Sequence, residues 1–450
     1  MNEALLCVIS LCALGLLMRR DLLCPATVYC AVSAANAWMF YITAIRRVYP
    51  QSVAHWWMFK YDYQEIASTV FLIYLSQCIV AVGAHFLASW LAGRATPTTL
   101  DSPRWTIARW RFELNFRHPL LAYLCLLVIT SMFSVVCIIH LVTIDVSSIW
   151  EYRGYLETRI PLQVGIRNGA LQAFHRLLPE IGTILCLLTA FFYSRRQWSV
   201  LGLLFFPTAY AVAFTASLGS RFIVAQFASA GFVLFFLGRR HVLAAGICCM
   251  AALVSYGAVL SLRQYSGDGG VYGLRPFLAT LWGGQFYPHG GIFFILFNFI
   301  QGSFNLAHAV LSAPLDYPLE YKLKSFSPAP SFVDGFASLS WLAIRKANEN
   351  APYGAYAETY LFGGGWFVTY TGLVFLSLTY LTFFRHKCHS AAAVFILCFA
   401  YLTYFLMHTY PIRNSFRLLL LSVFAAMIVN WYERSVNRQA LQPSEFSAHT

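Results

Sequence analysis

The chain has 450 residues, of which 59% are hydrophobic, 17% aromatic and only 11% charged, with a formal net charge of +13. Soluble domains carry about twice that share of charge, so the composition excludes one and selects an all-α polytopic membrane protein. Membrane embedding also argues against nucleic acid as the partner that the positive charge serves.

A spanning helix needs about 20 mostly apolar residues. In chain order, the runs that meet this are 4–18, 22–45, 66–93, 119–142, 177–194, 198–216, 221–238, 242–262, 359–384, 389–409 and 414–432, about eleven spans by hydropathy. The first of them, "MNEALLCVISLCALGLLMRR", carries its positive charge after the apolar run, the reverse of a signal peptide, and is expected to stay as a span. The twelve cysteines fall inside these runs or at their edges, which argues for apolar packing residues rather than disulfides. No CxxC pair suggests zinc, and "HKCH" at His386–His389 reads as a basic flank.

Orientation follows from the short connections. "RRD" at 19, "RRQ" at 195, "RRH" at 239, "RHK" at 385 and the loop 94–118 alternate with the spans and go to the cytoplasm. The N-terminus is then expected outside, and a tail at 433–450, with Arg434 and Arg438, inside. Everything from 1 to 450 reads as a single integral membrane domain with two large external segments, 143–176 and 263–357. Within the second, the apolar stretch 291–313 fits a re-entrant or interfacial helix, because a full span there would reverse every later connection.

About half of the thirty-one Lys and Arg residues fall outside under this topology. Arg221 opens one span after "SLGS", Arg263 closes another, and Arg413 and Arg417 in "TYPIRNSFRLLLL" open the last on one helical face. Guanidinium groups bind phosphate oxygens bidentately, so arginines around one outer cavity, Arg153 included, would grip a pyrophosphate. Each alone is equally explained by snorkelling or by pairing with a carboxylate. For a general base, Glu358 in "YAETYLFGGG" is the leading candidate, although a carboxylate at a helix start also interacts with the helix dipole. His408, Asp145 and Glu157 are weaker alternatives. No internal repeat is visible, and no Walker loop, HExxH or GxSxG occurs in a usable context.

Four stretches carry a resemblance: "YRGYLETR" in the first external segment, "SLGSR" opening a helix, "RQYSG" starting the large loop, and "SPAPSFVDGF" followed by "APYGAYAETYLFGGGW". In order and spacing, from about 140 to 420, the chain resembles the Wzy-type O-antigen and exopolysaccharide repeat-unit polymerases. The resemblance implies a GT-C-like glycosyltransferase of the bacterial inner membrane, with the large loop periplasmic. It would join undecaprenyl-pyrophosphate-linked oligosaccharides without a cofactor or metal; the absence of an external DxD or ExD agrees. Glu358 would be catalytic, and Arg153, Arg221, Arg263, Tyr265, Ser331, Arg413 and Arg417 would bind substrate, with membrane lipids and a chain-length co-polymerase as partners. The rival expectations are an O-antigen ligase and a flippase or transporter of lipid-linked sugars. A transporter would place ionisable groups near the bilayer midplane, whereas here they cluster at the outer face.

Overall fold

The structure is a computed structural model describing residues 2–19, 24–94, 119–144, 146–153, 161–162, 164–236, 241–265, 271–283, 296–313, 315–329, 334–336, 338–339, 352–387 and 391–441. It is helical throughout, apart from one ladder of two-residue strands among the described residues.

Among the described residues, seven helices are long and apolar enough to cross a membrane: Pro25–Ile45, Ala67–Gly93, Gly169–Ser194, Trp198–Ser217, Val242–Leu262, Gly364–His386 and Ile412–Tyr432. Four shorter apolar helices, Asn2–Met18, Leu127–Thr143, Phe222–Phe235 and Ile396–Thr409, coincide with the remaining expected spans. The outward faces are as apolar as the packed ones: Leu243 is 78% exposed and Ile247 62%. Such surface is stable against lipid rather than water. Exposed Trp198 opens the span Trp198–Ser217 and exposed Trp431 closes the span Ile412–Tyr432, where indole suits the headgroup layer. The chain is a multi-pass helical membrane protein.

Its contacts divide it into two compact units, Met1–Trp105 with Leu296–Thr450, and Thr106–Ile295. In the first unit, α1 (Asn2–Met18), α2 (Pro25–Phe40, continued by a π turn to Ile45) and α3 (Ala67–Arg94) pack together. Pro25 starts α2, where its missing N–H costs no hydrogen bond and its fixed φ suits a helix.

The second unit holds α4 (Pro119–Thr143), α5 (Val146–Trp150), α6 (Gly169–Ser194), α7 (Trp198–Ser217), α8 (Phe222–Phe236), α9 (Val242–Tyr265) and α10 (Leu274–Trp282). Asn168 caps α6, its side chain accepting from Ala170 N at 2.9 Å and Leu171 N at 3.3 Å. Strands β1 (Tyr152–Arg153) and β2 (Val271–Tyr272) join the two expected external segments in an antiparallel pair, Tyr152 opposite Tyr272.

The chain then returns to the first unit with α11 (Phe297–Ser312), α12 (Leu319–Ser325), α13 (Ala355–Phe362), α14 (Gly364–Lys387), α15 (Ala391–Thr409) and α16 (Ile412–Leu441). At 16 residues α11, within the stretch 291–313, spans only about 24 Å at 1.5 Å per residue, less than the hydrocarbon thickness. It packs against α2, α13 and α15.

Candidate functional site

The motifs that carry the resemblance sort by unit. In the second unit, "SLGSR" is a helix stop and restart. Gly219 takes φ +54°, its N–H donates to Ala216 O at 2.9 Å, and Ser220 N donates to Thr215 O at 3.2 Å, which terminates α7. Ser220 Oγ then accepts weakly from Phe222 N at 3.4 Å, and the half-buried Arg221 lies at the head of α8. A Cβ on Gly219 would come within 3.1 Å of the Tyr272 ring, so this turn packs directly on the β1–β2 ladder. Gly273 comes next at φ +138°, against the Trp150 carbonyl, and Arg275 pairs with Glu151 at 3.2 Å. The "YRGYLETR" and "SLGSR" motifs thus converge on Tyr152 and Tyr272, the second of these a few residues beyond "RQYSG".

Arg153, Arg263 and Tyr265 are described by backbone alone, in β1 and at the end of α9. Ser331, Asp145 and Glu157 lie outside the described residues.

In the first unit the remaining motifs assemble around α13. Glu358 lies in its first turn and is only 4% exposed. One carboxylate oxygen accepts from Tyr321 Oη at 2.7 Å, and the other from Ile412 N at 2.7 Å. One side chain therefore ties α12, α13 and the start of α16. Burial pushes its carboxyl up to about 7, with the Tyr321 and Ile412 donors pulling the other way. Burial and the neighbouring Glu358 in turn hold the Tyr321 hydroxyl far above its ordinary range.

The two arginines of α16 are taken up by "SPAPSFVDGF". Arg413 is 3% exposed and donates through Nη2 to both oxygens of Asp334 at 2.8 Å and to Ala329 O at 3.0 Å, and through Nη1 to Lys324 O. Its guanidinium also lies 4.0 Å over the Phe336 ring. Although burial opposes ionisation, hydrogen bonds from Arg413, Ser327 and Phe336 N hold the Asp334 carboxyl down to about 2. The half-buried Arg417 donates through Nε to Ser327 O at 3.3 Å and through Nη2 to Ala329 O.

Lys322 reaches Phe362 O at 3.2 Å, and Lys324 pairs with Glu320 at 2.5 Å. Four cations therefore lie on α12 and α16 with the carboxylates of Glu320 and Asp334 as partners of two of them, and Glu358 ties these same two helices to α13.

Arg413 and Arg417, one helical turn apart, thus share one loop, as their spacing implies, but Arg413 meets an internal carboxylate there. His408 is also buried; it stacks on Tyr356 of α13, 5.8 Å between centroids. Sequence reasoning missed Tyr321 and Asp334, the partners of Glu358 and Arg413. An external Asp within the motif was the available signal for Asp334; nothing local marked Tyr321. Among the described residues, no three His, Cys, Asp or Glu side chains are grouped to hold a metal ion.

Comparison of the chain with protein-family models, with curated proteins and with solved structures returns no match.

Proposed function

We propose that this membrane protein is a glycosyltransferase that polymerises undecaprenyl-pyrophosphate-linked oligosaccharide repeat units at the external, periplasmic face. The observation that carries the reading is the buried Glu358, held at about 7 and hydrogen-bonded to α12 and α16, the two helices that carry Lys322, Lys324, Arg413 and Arg417. A carboxyl ionised in part at neutral pH is suited to accept a proton from a sugar hydroxyl. Surplus positive charge suits the anion that departs.

In the reaction, the acceptor hydroxyl oxygen of the new repeat unit forms a bond to the anomeric carbon of the growing glycan. The bond from that carbon to the pyrophosphate oxygen breaks, and its electron pair stays on the pyrophosphate. Glu358 takes the hydroxyl proton, the substrate hydroxyl replacing Tyr321 as partner of one carboxylate oxygen. Arg417 and Lys322, whose guanidinium and ammonium donate to backbone carbonyls rather than to carboxylates, offer their charge to the pyrophosphate. Arg413 keeps the loop in place through Asp334.

Deleting the gene and running the surface polysaccharide on a gel tests the reading. Glycan of a single repeat unit is the expected result. Unattached polymer would identify a ligase instead, and lipid-linked units trapped in the cytoplasm a flippase.

A further inference from the structure

The core of the first unit contains polar atoms with no hydrogen-bond partner among the described residues. Ser33 Oγ and Asn36 Oδ1 on α2, Tyr74 Oη and both amide atoms of Gln77 on α3, and Tyr404 Oη and His408 Nε2 on α15 are buried and make no hydrogen bond. None of these residues is more than 4% exposed.

They are neighbours. Ser33 and Asn36 recur on one face of α2, and Tyr74 and Gln77 on one face of α3. The Tyr74 and His408 rings are 6.1 Å apart, and His408 stacks on Tyr356. A Cβ built on Gly302 would lie 3.1 Å from His408 Cβ and 3.3 Å from Asn36 Oδ1, so those two side chains flank one spot. Tyr356 hydrogen-bonds Tyr29, whose ring meets Tyr404 at 5.4 Å.

Inside a bilayer a polar atom without a partner is strongly disfavoured, and so many in contiguous positions require an occupant. The set carries hydroxyl, amide and imidazole groups and no carboxylate or cation, which suits a neutral ligand that both donates and accepts. Water, with two to four partners per molecule, is such a ligand. The track reaches α13 at Tyr356, whose ring lies 5.1 Å from that of Tyr370 on α14, and Tyr370 is close enough to Glu358 to interact with its charge.

We propose that the first unit encloses a file of bound water molecules running past Asn36, Gln77, Tyr74 and His408 to Tyr356, and that protons taken up by Glu358 leave along it. The second half rests on Glu358 acting as a base; the first does not.

The test uses the full-length protein in detergent and needs no polymerisation. Brief X-ray radiolysis in ¹⁸O-labelled water should label Tyr74, Tyr404 and His408, while the equally buried Phe40 and Phe71 stay unlabelled. Label confined to exposed side chains would overturn the water file. The infrared band of the protonated Glu358 carboxyl, identified by its loss in Glu358→Gln, should exchange with deuterium about tenfold or more slowly in Tyr74→Phe and in Gln77→Leu. Two variants guard against one that fails to fold, and unchanged exchange in a folded variant would overturn the route. Neither result depends on whether the protein makes polymer.

Discussion

Buried polar side chains are satisfied to different extents in the two units. In the second, His140 places one ring nitrogen 2.6 Å from Tyr210 Oη and the other 3.2 Å from His175 Nδ1. Gln226 donates through its amide nitrogen to Pro179 O at 3.0 Å and Thr215 Oγ1 at 2.8 Å, an approach that a side chain on Gly182 would block, and only its amide oxygen stays without a hydrogen bond among the described residues. In the first, Asn36, Gln77, Tyr74 and His408 leave polar atoms unbonded beside a carboxyl that burial holds near neutrality. Polar pairs closed on one another lock helices together, whereas groups left open are available to ligands and protons. On the proposed function, the reaction centre belongs to the first unit, and the second is a frame with one basic turn.

The sharpest way to break this comparison is Glu358→Gln, which keeps the shape and removes the base. Polymer formation should fall by about 10²–10⁴-fold with insertion and expression unchanged; wild-type polymer length would take Glu358 out of the mechanism. The native protein should also show opposed pH trends. Because folding raises the Glu358 carboxyl from 4.5 to about 7, its neutral form is favoured. The stability this contributes, about 3 kcal/mol, is fully present below pH 4.5 and lost as pH rises through 7. Activity should rise over that same window, and both trends should vanish in Glu358→Gln, as thermal unfolding and initial rates across pH would reveal.

Removing the Asp334 carboxylate leaves the Arg413 guanidinium buried and unpaired. Asp334→Ala should therefore destabilise the first unit by about 3–5 kcal/mol. Exchanging both partners, Arg413→Met with Asp334→Leu, should restore most of the unfolding midpoint, because no lone charge remains.

A smaller effect is expected at the basic turn of the second unit. If Arg221 binds substrate, as the resemblance implies, losing one charge-assisted contact of about 1.5–3 kcal/mol would slow Arg221→Ala by ten- to a hundredfold, with Arg221→Lys between it and wild type. Full activity of Arg221→Ala at equal protein level would reduce the arginine to an anchor and leave the frame without a part in the reaction.

The smallest effect tests the frame itself. His140→Phe opens the His140–His175–Tyr210 chain, yet hydrogen bonds between membrane helices average only about 0.6 kcal/mol and reach about 1.7. A drop in unfolding midpoint within that range, with polymer unchanged, is the expected outcome.

What could be read from the chain divides along a physical line. Hydropathy is a local sum, so the helices Ala67–Gly93 and Gly364–His386 stand out from residue order alone. The spacing of Arg413 and Arg417 likewise announces a shared face. Pairing across distance leaves no such trace: Asp334 lies 79 positions from Arg413, and Tyr321 lies 37 from Glu358. The meeting of Tyr152 with Tyr272 was equally hidden, since a two-residue ladder shows no alternating pattern. The division into two units escaped for the same reason: every helix is apolar, and nothing in composition tells which neighbour it will choose.

That division has a consequence for how the protein is made. Thr106–Ile295 is one unbroken stretch of chain, so its helices can pack while the ribosome is still producing the C-terminal part of the other unit. That other unit is assembled from both sides of the stretch. The latch between Glu358 and Ile412 N, and the clasp of Arg413 on Asp334, wait until α16 has left the translocation channel. Until then α1–α3 and α11–α15 must hold in the bilayer without their final ties. Biogenesis therefore passes through a stage in which the second unit can be packed while these ties of the first are still open.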